Sequence, residues 1–175
     1  MFPEGDTIVL IQNYRLVEQG GFLVVVVLED SSCPICKVML SMRATRKRVR
    51  WNGDKEVPEK EILIIRRMIC EKCGRIHHEL PDCLVPFKRY SADVIEGIVD
   101  NKSAKAGQAP CPDSTAQRLR GWWAAVRPYF IHILATLTAT FGVSYSEPPA
   151  FRETVRAVAN SNNWIFVYQV CTCSV

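Results

Sequence analysis

Two Cys-x2-Cys pairs constrain the fold of this chain more than any other feature. Cys33 and Cys36 form the first pair, and Cys70 and Cys73 form the second. Each such turn presents two sulfurs to one ion, and two turns complete the tetrahedral shell that zinc prefers. Residues 37–69 have the pattern of a long hairpin, which would bring the two pairs together. We therefore predict one structural Zn²⁺ ion per chain.

Two other interpretations of the pairs remain open at this stage. The four thiols can be buried together by coincidence, or one pair can be a thioredoxin-like redox site. Neither pair opens a helix in a strand–helix–strand pattern, which disfavours the redox site. His77 and His78 follow Cys73 closely, and either can replace a cysteine ligand. A shell of four sulfurs leaves no open position for chemistry, so the predicted ion stabilises a fold.

The remaining cysteines and the first residues of the chain indicate the cellular compartment in which the protein folds. The chain has eight cysteines, of which Cys83 and Cys111 are interpreted as small buried hydrophobic side chains. Cys171 and Cys173 lie in the tail, and no role is assigned to them. Residues 1–20 contain acidic side chains and no basic segment before an apolar run, so no secretory signal is expected. We expect a cytoplasmic protein without disulfides.

Composition excludes several classes of protein. The 175 residues are 48% hydrophobic and 23% charged, which is typical of one globular domain or two small ones. Two small cores would each need an additional cross-link, such as a bound metal ion, to be stable. No apolar run reaches the roughly 18 residues of a transmembrane helix, and no glycine signature of a nucleotide site is present. We expect neither membrane binding nor a small-molecule substrate, whereas the net charge of +4 permits an anionic partner.

Strand patterns dominate the first half of the chain and helical patterns the second. Residues 22–29 and 62–69 predict strands, and residues 38–51 predict a strand that pairs with the latter across an Asn-Gly-Asp turn at 52–54. The helical patterns begin after Ser91 and at Asp113 or Ser114, and continue over residues 128–142 and 149–160.

These patterns predict an α+β fold, in which a zinc-ribbon-like β-hairpin module precedes a small helix-turn-helix-like bundle. The predicted parts are an N-terminal segment with a strand, a zinc-ribbon-like domain, a helical domain and a strand-like tail, at residues 1–30, 31–88, 89–160 and 161–175.

Basic side chains concentrate on the predicted hairpin and before the first helix. Trp51 lies beside them and can stack on a base, and Arg66 and Arg67 lie on the opposing strand. A solvated face balanced by acids such as Asp54 and Glu61 is an equally good interpretation. The residues that we predict to contact DNA here are Arg43, Arg46, Lys47, Arg48, Arg50, Lys88 and Arg89.

The first two helices, with a tryptophan-rich inner face, are similar to a helix-turn-helix. Ser114, Thr115, Gln117 and Arg118 would then project from the start of the second helix, where base edges are read. Gln and Arg pair bidentately with adenine and guanine. A plain helical bundle stays open, because the connection at 101–112 is longer than a standard turn.

Three stretches together resemble a known family. They are CPIC, IRRMICEKCGRIHHELPDCLVPFKRYSADVIEGIV and DSTAQRLRGWW, within residues 31–127. They resemble a bacterial domain-of-unknown-function family that is similar to the N-terminal zinc-ribbon and helix-turn-helix part of insertion-sequence transposases. The resemblance implies the same four cysteine ligands. It also implies DNA-facing positions at 114, 115, 117 and 118.

We therefore predict a non-enzymatic, zinc-stabilised protein that binds double-stranded DNA and is associated with a mobile element. An active transposase needs a carboxylate triad on a sheet, and the few acids after residue 90 lie in helical patterns. A zinc-ribbon module that binds another protein is the alternative, and an enzyme that uses a thiol pair is a third interpretation. The sequence leaves a homo-oligomer open.

Overall fold

The computed structural model describes residues 7–53, 59–100 and 111–164, in which six strands precede three helices. The α+β class is thus confirmed. The strands are β1 (Thr7–Ile11), β2 (Tyr14–Gln19), β3 (Phe22–Val27), β4 (Ser41–Asn52), β5 (Glu59–Ile69) and β6 (Ile76–Pro81). The helices are α1 (Ala92–Val99), α2 (Asp113–Phe141) and α3 (Phe151–Asn160).

The strands form one curled mixed sheet centred on β5. Its order is β1-β6-β5-β3-β2, and β4 also pairs with β5. The β4–β5 pair is antiparallel, as the sequence predicts, and runs from Ser41 opposite Ile69 to Asn52 opposite Glu59. On its other edge β5 meets β6 in antiparallel and β3 in parallel orientation.

Strands β1, β2 and β6 were not predicted. The link between β2 and β3 is Gly20-Gly21, whose φ angles of 59° and 78° suit the tight turn of a two-residue hairpin. From the sequence alone, these glycines indicate only the start of a strand. Strand β1 pairs in parallel with β6, which lies far from it in sequence, so no local pattern signals this pairing.

The helices begin close to the predicted positions, but α2 is longer than expected. Ser91 caps α1, since its Oγ accepts a hydrogen bond from the Val94 amide at 3.4 Å. Helix α2 continues through Pro128 to Phe141, where two helices were predicted. Pro128 and Ala124, whose carbonyl loses its usual donor, are both exposed. Water can satisfy that carbonyl, so the helix is not interrupted there.

One face of the sheet, called here the helix-facing face, shares a hydrophobic core with all three helices. Leu63 and Ile65 of β5 are buried in the same cluster as Ile98 of α1, Phe130 of α2 and Val158 of α3. Residues on both sides of the predicted boundary at 88 therefore contribute to this core. The division into domains stays a prediction.

Three further points concern the described ranges. Within them, no helix is both long and apolar enough to cross a membrane. The opposite surface of the sheet, called here the outer face, is partly covered by residues 31–40. Residues 165–175 of the predicted tail at 161–175, with Cys171 and Cys173, lie outside the described residues, as does Asp54 of the predicted turn.

Asn160, at the end of α3, binds the edge of the sheet. Its side chain accepts from the Leu10 amide at 2.7 Å and donates to the Leu10 carbonyl at 3.0 Å. It thus takes the place of a neighbouring strand at this point of β1. Both groups would otherwise lose their partners where β1 is buried.

We expect Asn160→Ala to lower the free energy of unfolding by about 2 kcal/mol, because two backbone groups of Leu10 lose their hydrogen bonds. Denaturant unfolding measures this change. Asn163→Ala is the matched control, since the side-chain amide of Asn163 donates to Ser161, two residues away. An equal loss in both variants would contradict a special role of Asn160.

Candidate metal centre

The first cysteine pair lies in a tight turn between β3 and β4. The Cys33 amide donates to the Val38 carbonyl at 2.8 Å, and the Lys37 amide donates to the Cys33 carbonyl at 2.9 Å. The Cys36 amide also points at the Cys33 sulfur, at 3.3 Å. These bonds fix both sulfurs of the pair on the inside of the turn.

The second pair repeats this geometry between β5 and β6. The Cys70 amide donates to the Arg75 carbonyl at 3.0 Å, and the Gly74 amide donates to the Cys70 carbonyl at 2.7 Å. Lys37 and Gly74 occupy the same position of their turns, with φ angles of 58° and 70°. Glycine adopts this left-handed conformation without strain. The two turns are therefore built alike, although only one contains the preferred residue.

The β4–β5 pairing places the two turns side by side. Their four Sγ atoms lie within 4.8 Å of one another, and those of Cys33 and Cys73 are 3.9 Å apart. A tetrahedron with metal–sulfur bonds of roughly 2.3 Å has edges of about 3.8 Å. The sulfurs of Cys33, Cys36, Cys70 and Cys73 are thus compatible with a metal site, as predicted.

Cys33 and Cys70 are fully buried, whereas Cys36 and Cys73 lie nearer the surface. The two buried sulfurs belong to a small second core on the outer face, with Val9, Leu40 and Met68. This core contains few apolar side chains. A cluster of this size buries little apolar surface and gives little stabilisation of its own.

The four thiols influence one another's ionisation. Burial and hydrogen bonds with the other three thiols raise the pKa of Cys36 to about 12. Burial also opposes ionisation of Cys70, but the backbone amides of Cys73 and Lys72 donate to its sulfur, and its pKa falls to about 7. Four thiolates at this spacing require a compensating positive charge, which a divalent cation supplies.

The two histidines after the second pair have other contacts. His77 and His78 are buried on β6, and His77 shares a hydrogen bond through Nδ1 with the Thr7 hydroxyl. The Nε2 atom of His78 lies 3.5 Å from an Arg46 nitrogen. Among the described side chains, the group that can hold a metal consists of the four cysteines, without either histidine.

Residues 33–119 match the model of one protein family, described as a domain of unknown function, DUF6431. This part of the chain is similar to the DUF6431 family. The DUF6431 match includes all four cysteines, strands β4 to β6, helix α1 and the first turns of α2. No curated protein and no solved structure matches the chain.

The structure divides the basic residues of β4, which lie within the matched region, between two faces. Arg43 lies exposed at a β-bulge between Met42 and Ala44. Arg46 and Arg48 share the helix-facing side with the buried residues opposite them. Lys47 lies on the outer face, where its Nζ is 4.3 Å from the centre of the Phe22 ring.

Arg50 does not lie on an accessible surface. It is 6% exposed, and its Nε and one terminal nitrogen donate to Oε2 of Glu61 at 2.8 and 2.5 Å. The register of β4 and β5 places these two residues directly opposite each other. Arg50 is therefore a structural ion-pair partner, and we omit it from the predicted DNA surface.

The residues before α1 connect β4 to the helices. The Trp51 amide donates to the Arg89 carbonyl at 2.7 Å, and the Ser91 amide donates to the Trp51 carbonyl at 3.0 Å. Arg89 is exposed, whereas Trp51 is half-buried. Lys88 is also half-buried, and its Nζ lies 4.2 Å from the centre of the Trp122 ring.

The predicted DNA-facing residues lie in the first two turns of α2. Ser114, Gln117 and Arg118 are exposed, and Thr115 is half-buried. A terminal nitrogen of Arg118 donates to the Thr115 hydroxyl at 3.4 Å. The opposite side of these turns, with Ala116 and Leu119, is buried.

An ion pair beside the metal centre was not predicted from the sequence. Glu79 is fully buried on the outer face. Its carboxylate accepts two bonds from Arg66, at 2.5 and 2.8 Å, and one from the Ser31 hydroxyl. The available signal was an acidic residue inside the otherwise strand-like segment 76–81.

Proposed function

We propose that this chain is a non-enzymatic DNA-binding protein, stabilised by one zinc ion and associated with a mobile element. The observation that carries the proposal is a row of neighbouring basic side chains on β4, before α1 and at the start of α2. Such a row can follow the phosphates of one duplex.

The row begins on β4 and passes through the residues before α1. Arg46 and Arg48 alternate on one face of the strand, and a terminal nitrogen of Arg48 donates to the Lys88 carbonyl at 3.0 Å. Arg89 is close enough to Arg48 to oppose its charge. Arg118 of α2 interacts electrostatically with Tyr90, the next residue along the chain from Arg89. The sheet and the helix thus contribute to one basic surface.

Zinc is the ion that best suits four cysteine sulfurs at these distances. Structural zinc sites are tetrahedral and accept thiolate ligands, and Ca²⁺ and Mg²⁺ prefer oxygen. When bound, the ion would neutralise the thiolates and join the two turns. A site with four sulfurs has no open coordination position, which supports a structural role and a chain that is not an enzyme.

The order of α1 and α2 supports a helix-turn-helix-like module that recognises DNA bases. The exposed Gln117 and Arg118 lie in the first turns of the second helix, the part that contacts base edges in such modules. The DUF6431 match covers both the cysteines and these turns. Together with the resemblance to the N-terminal part of transposases, this supports a role in recognising the DNA of a mobile element.

The proposal is tested by titrating the zinc-loaded chain with a labelled duplex at several salt concentrations. If about five phosphates are contacted, the logarithm of the association constant should fall with the logarithm of salt with a slope of roughly −4.5. Anisotropy of the duplex measures the association constant. No binding at low salt would contradict the proposal.

We expect Arg118→Ala to weaken binding to a duplex selected from a random pool by about 10- to 100-fold, since one bidentate base contact contributes ~1–3 kcal/mol. Binding to unselected DNA should change much less. Arg127→Ala, an exposed arginine further along the same helix, is the control. An equal loss on both kinds of DNA would remove Arg118 from base recognition.

A second candidate function is a protein-binding module without DNA binding. It is favoured by three large apolar side chains beside the first cysteine pair, Ile35, Met39 and Met42, which are 41%, 60% and 57% exposed. Exposed apolar groups of this kind are typical of contact surfaces. A partner held by them would bind with little dependence on salt, which the same titration distinguishes.

A further inference from the structure

A half-open cleft lies on the helix-facing face of the sheet, beside the basic residues of β4. Its walls are mostly apolar and come from β1, β5 and β6 and from Phe87. The polar groups that line it belong to Arg46, Arg48 and His78, and no described lining residue is acidic. An apolar cleft with convergent cationic groups is the usual form of a small-ligand site.

Arg48 has an unusual environment in this cleft. The side chain is half-buried, and one terminal nitrogen donates to the Lys88 carbonyl. Its Nε is enclosed and has no hydrogen-bond acceptor among the described residues. Buried N–H groups almost always have a partner, so this one indicates that a water or a ligand atom is its acceptor.

The charges around Arg48 indicate the sign of that acceptor. Burial lowers the pKa of Arg48, and the nearby guanidinium groups of Arg46 and Arg89 lower it further. Each of these effects opposes a positive charge at this position. An anion in the cleft would relieve all of them at once.

We infer that this cleft binds a tetrahedral oxyanion of the phosphate class, which accepts hydrogen bonds from the Nε of Arg48 and from Arg46. A guanidinium presents its N–H groups as a planar fork that matches phosphate oxygens. The enclosed part of the cleft is small. The anion therefore lies at its mouth and inserts an oxygen toward Arg48, and it is not enclosed as a whole metabolite would be.

The inference does not depend on DNA binding, because free phosphate and the DNA backbone offer the same oxygens. It is tested by thermal unfolding of the zinc-loaded chain in inorganic phosphate, at constant ionic strength set with sodium chloride. We expect phosphate at about 10 mM to raise the Tm of the unaltered chain, as a dissociation constant on the order of 1 mM would do.

Arg48→Met is the decisive variant, and Arg15→Met, at an exposed arginine of β2, is its matched control. Without phosphate, Arg48→Met should be at least as stable as the unaltered chain, because it removes a half-buried charge. Its affinity for phosphate should fall at least tenfold, while the control keeps the full response. The same increase of Tm in all three proteins would overturn the inference.

The nitrogen-15 resonance of the Arg48 Nε–H group gives a second measurement that needs no variant. Phosphate should shift this resonance, and an unchanged resonance would overturn the inference even if Arg48→Met fails to fold. A short duplex that displaces phosphate would identify the backbone phosphate as the source of the oxyanion. Displacement would support the DNA-binding proposal as well. Phosphate binding without displacement supports the oxyanion site while contradicting that proposal.

Discussion

Cys70→Ser should abolish metal binding and unfold the outer core. Cys70 is fully buried and belongs to a small cluster in which the other buried members, among the described residues, are Cys33, Val9, Leu40 and Met68. Because the folding of small metal sites is coupled to metal binding, losing one of four ligands removes most of the stabilisation. We expect metal content to fall from about one ion per chain to near zero, and Tm to fall by more than about 10 °C.

Metal analysis and differential scanning calorimetry on the same preparations measure both effects. Cys111→Ser is the matched control, because Cys111 is also buried but lies in the larger core, outside the four-cysteine group. It should keep the ion and lose on the order of 1 kcal/mol. A Cys70→Ser protein that retains its metal, or melts like the unaltered chain, would disprove the structural role of the site.

The second large effect is expected for Arg66→Met. The Glu79 carboxylate is fully buried, and Arg66 neutralises it through two hydrogen bonds. Removing the arginine leaves a charge inside the protein whose one remaining hydrogen-bond donor, among the described residues, is the Ser31 hydroxyl. We expect the free energy of unfolding to fall by about 3–5 kcal/mol, which denaturant titration measures.

The double variant Arg66→Met/Glu79→Met distinguishes two effects. One is the loss of the ion pair itself, and the other is the cost of leaving the buried Glu79 charge without its partner. Two apolar side chains of similar volume can replace a buried ion pair with little loss. The double variant should therefore be more stable than Arg66→Met alone. If Arg66→Met were as stable as the unaltered chain, the ion pair with Arg66 would not be what stabilises the buried carboxylate of Glu79.

The parts of the molecule that are predictable from sequence depend on local spacing. The two Cys-x2-Cys turns, the cap at Ser91 and the alternation of β5 each follow from residues a few positions apart. The antiparallel pairing of β4 with β5 then brings the turns together without further information. For this reason the amino-acid sequence alone is enough to predict the four-cysteine site.

The parts that were missed depend on register between distant segments. Arg50 was included in a DNA surface because nothing local shows that Glu61 lies opposite it. Arg66 was interpreted as another surface cation for the same reason, since its partner Glu79 is on a strand that was not recognised. Helix α2 was predicted as two helices divided at Pro128. The sequence does not show that this turn is exposed to water, which can bond the free carbonyl and let the helix continue.

The bulge at Arg43 sets the phase of everything that follows it on β4. Strand side chains alternate with a period of two, and one extra residue inverts which of them point inward. With the bulge, Met42 shares the outer face with Met68 near the four cysteines, and Arg46 and Arg48 turn toward the helices. Without it, Lys47 would take the inward position and the guanidinium groups would point away. Inserting or deleting one residue between the four cysteines and the arginines would therefore turn the arginines to the outer face, whereas a change of two residues would keep them facing the helices.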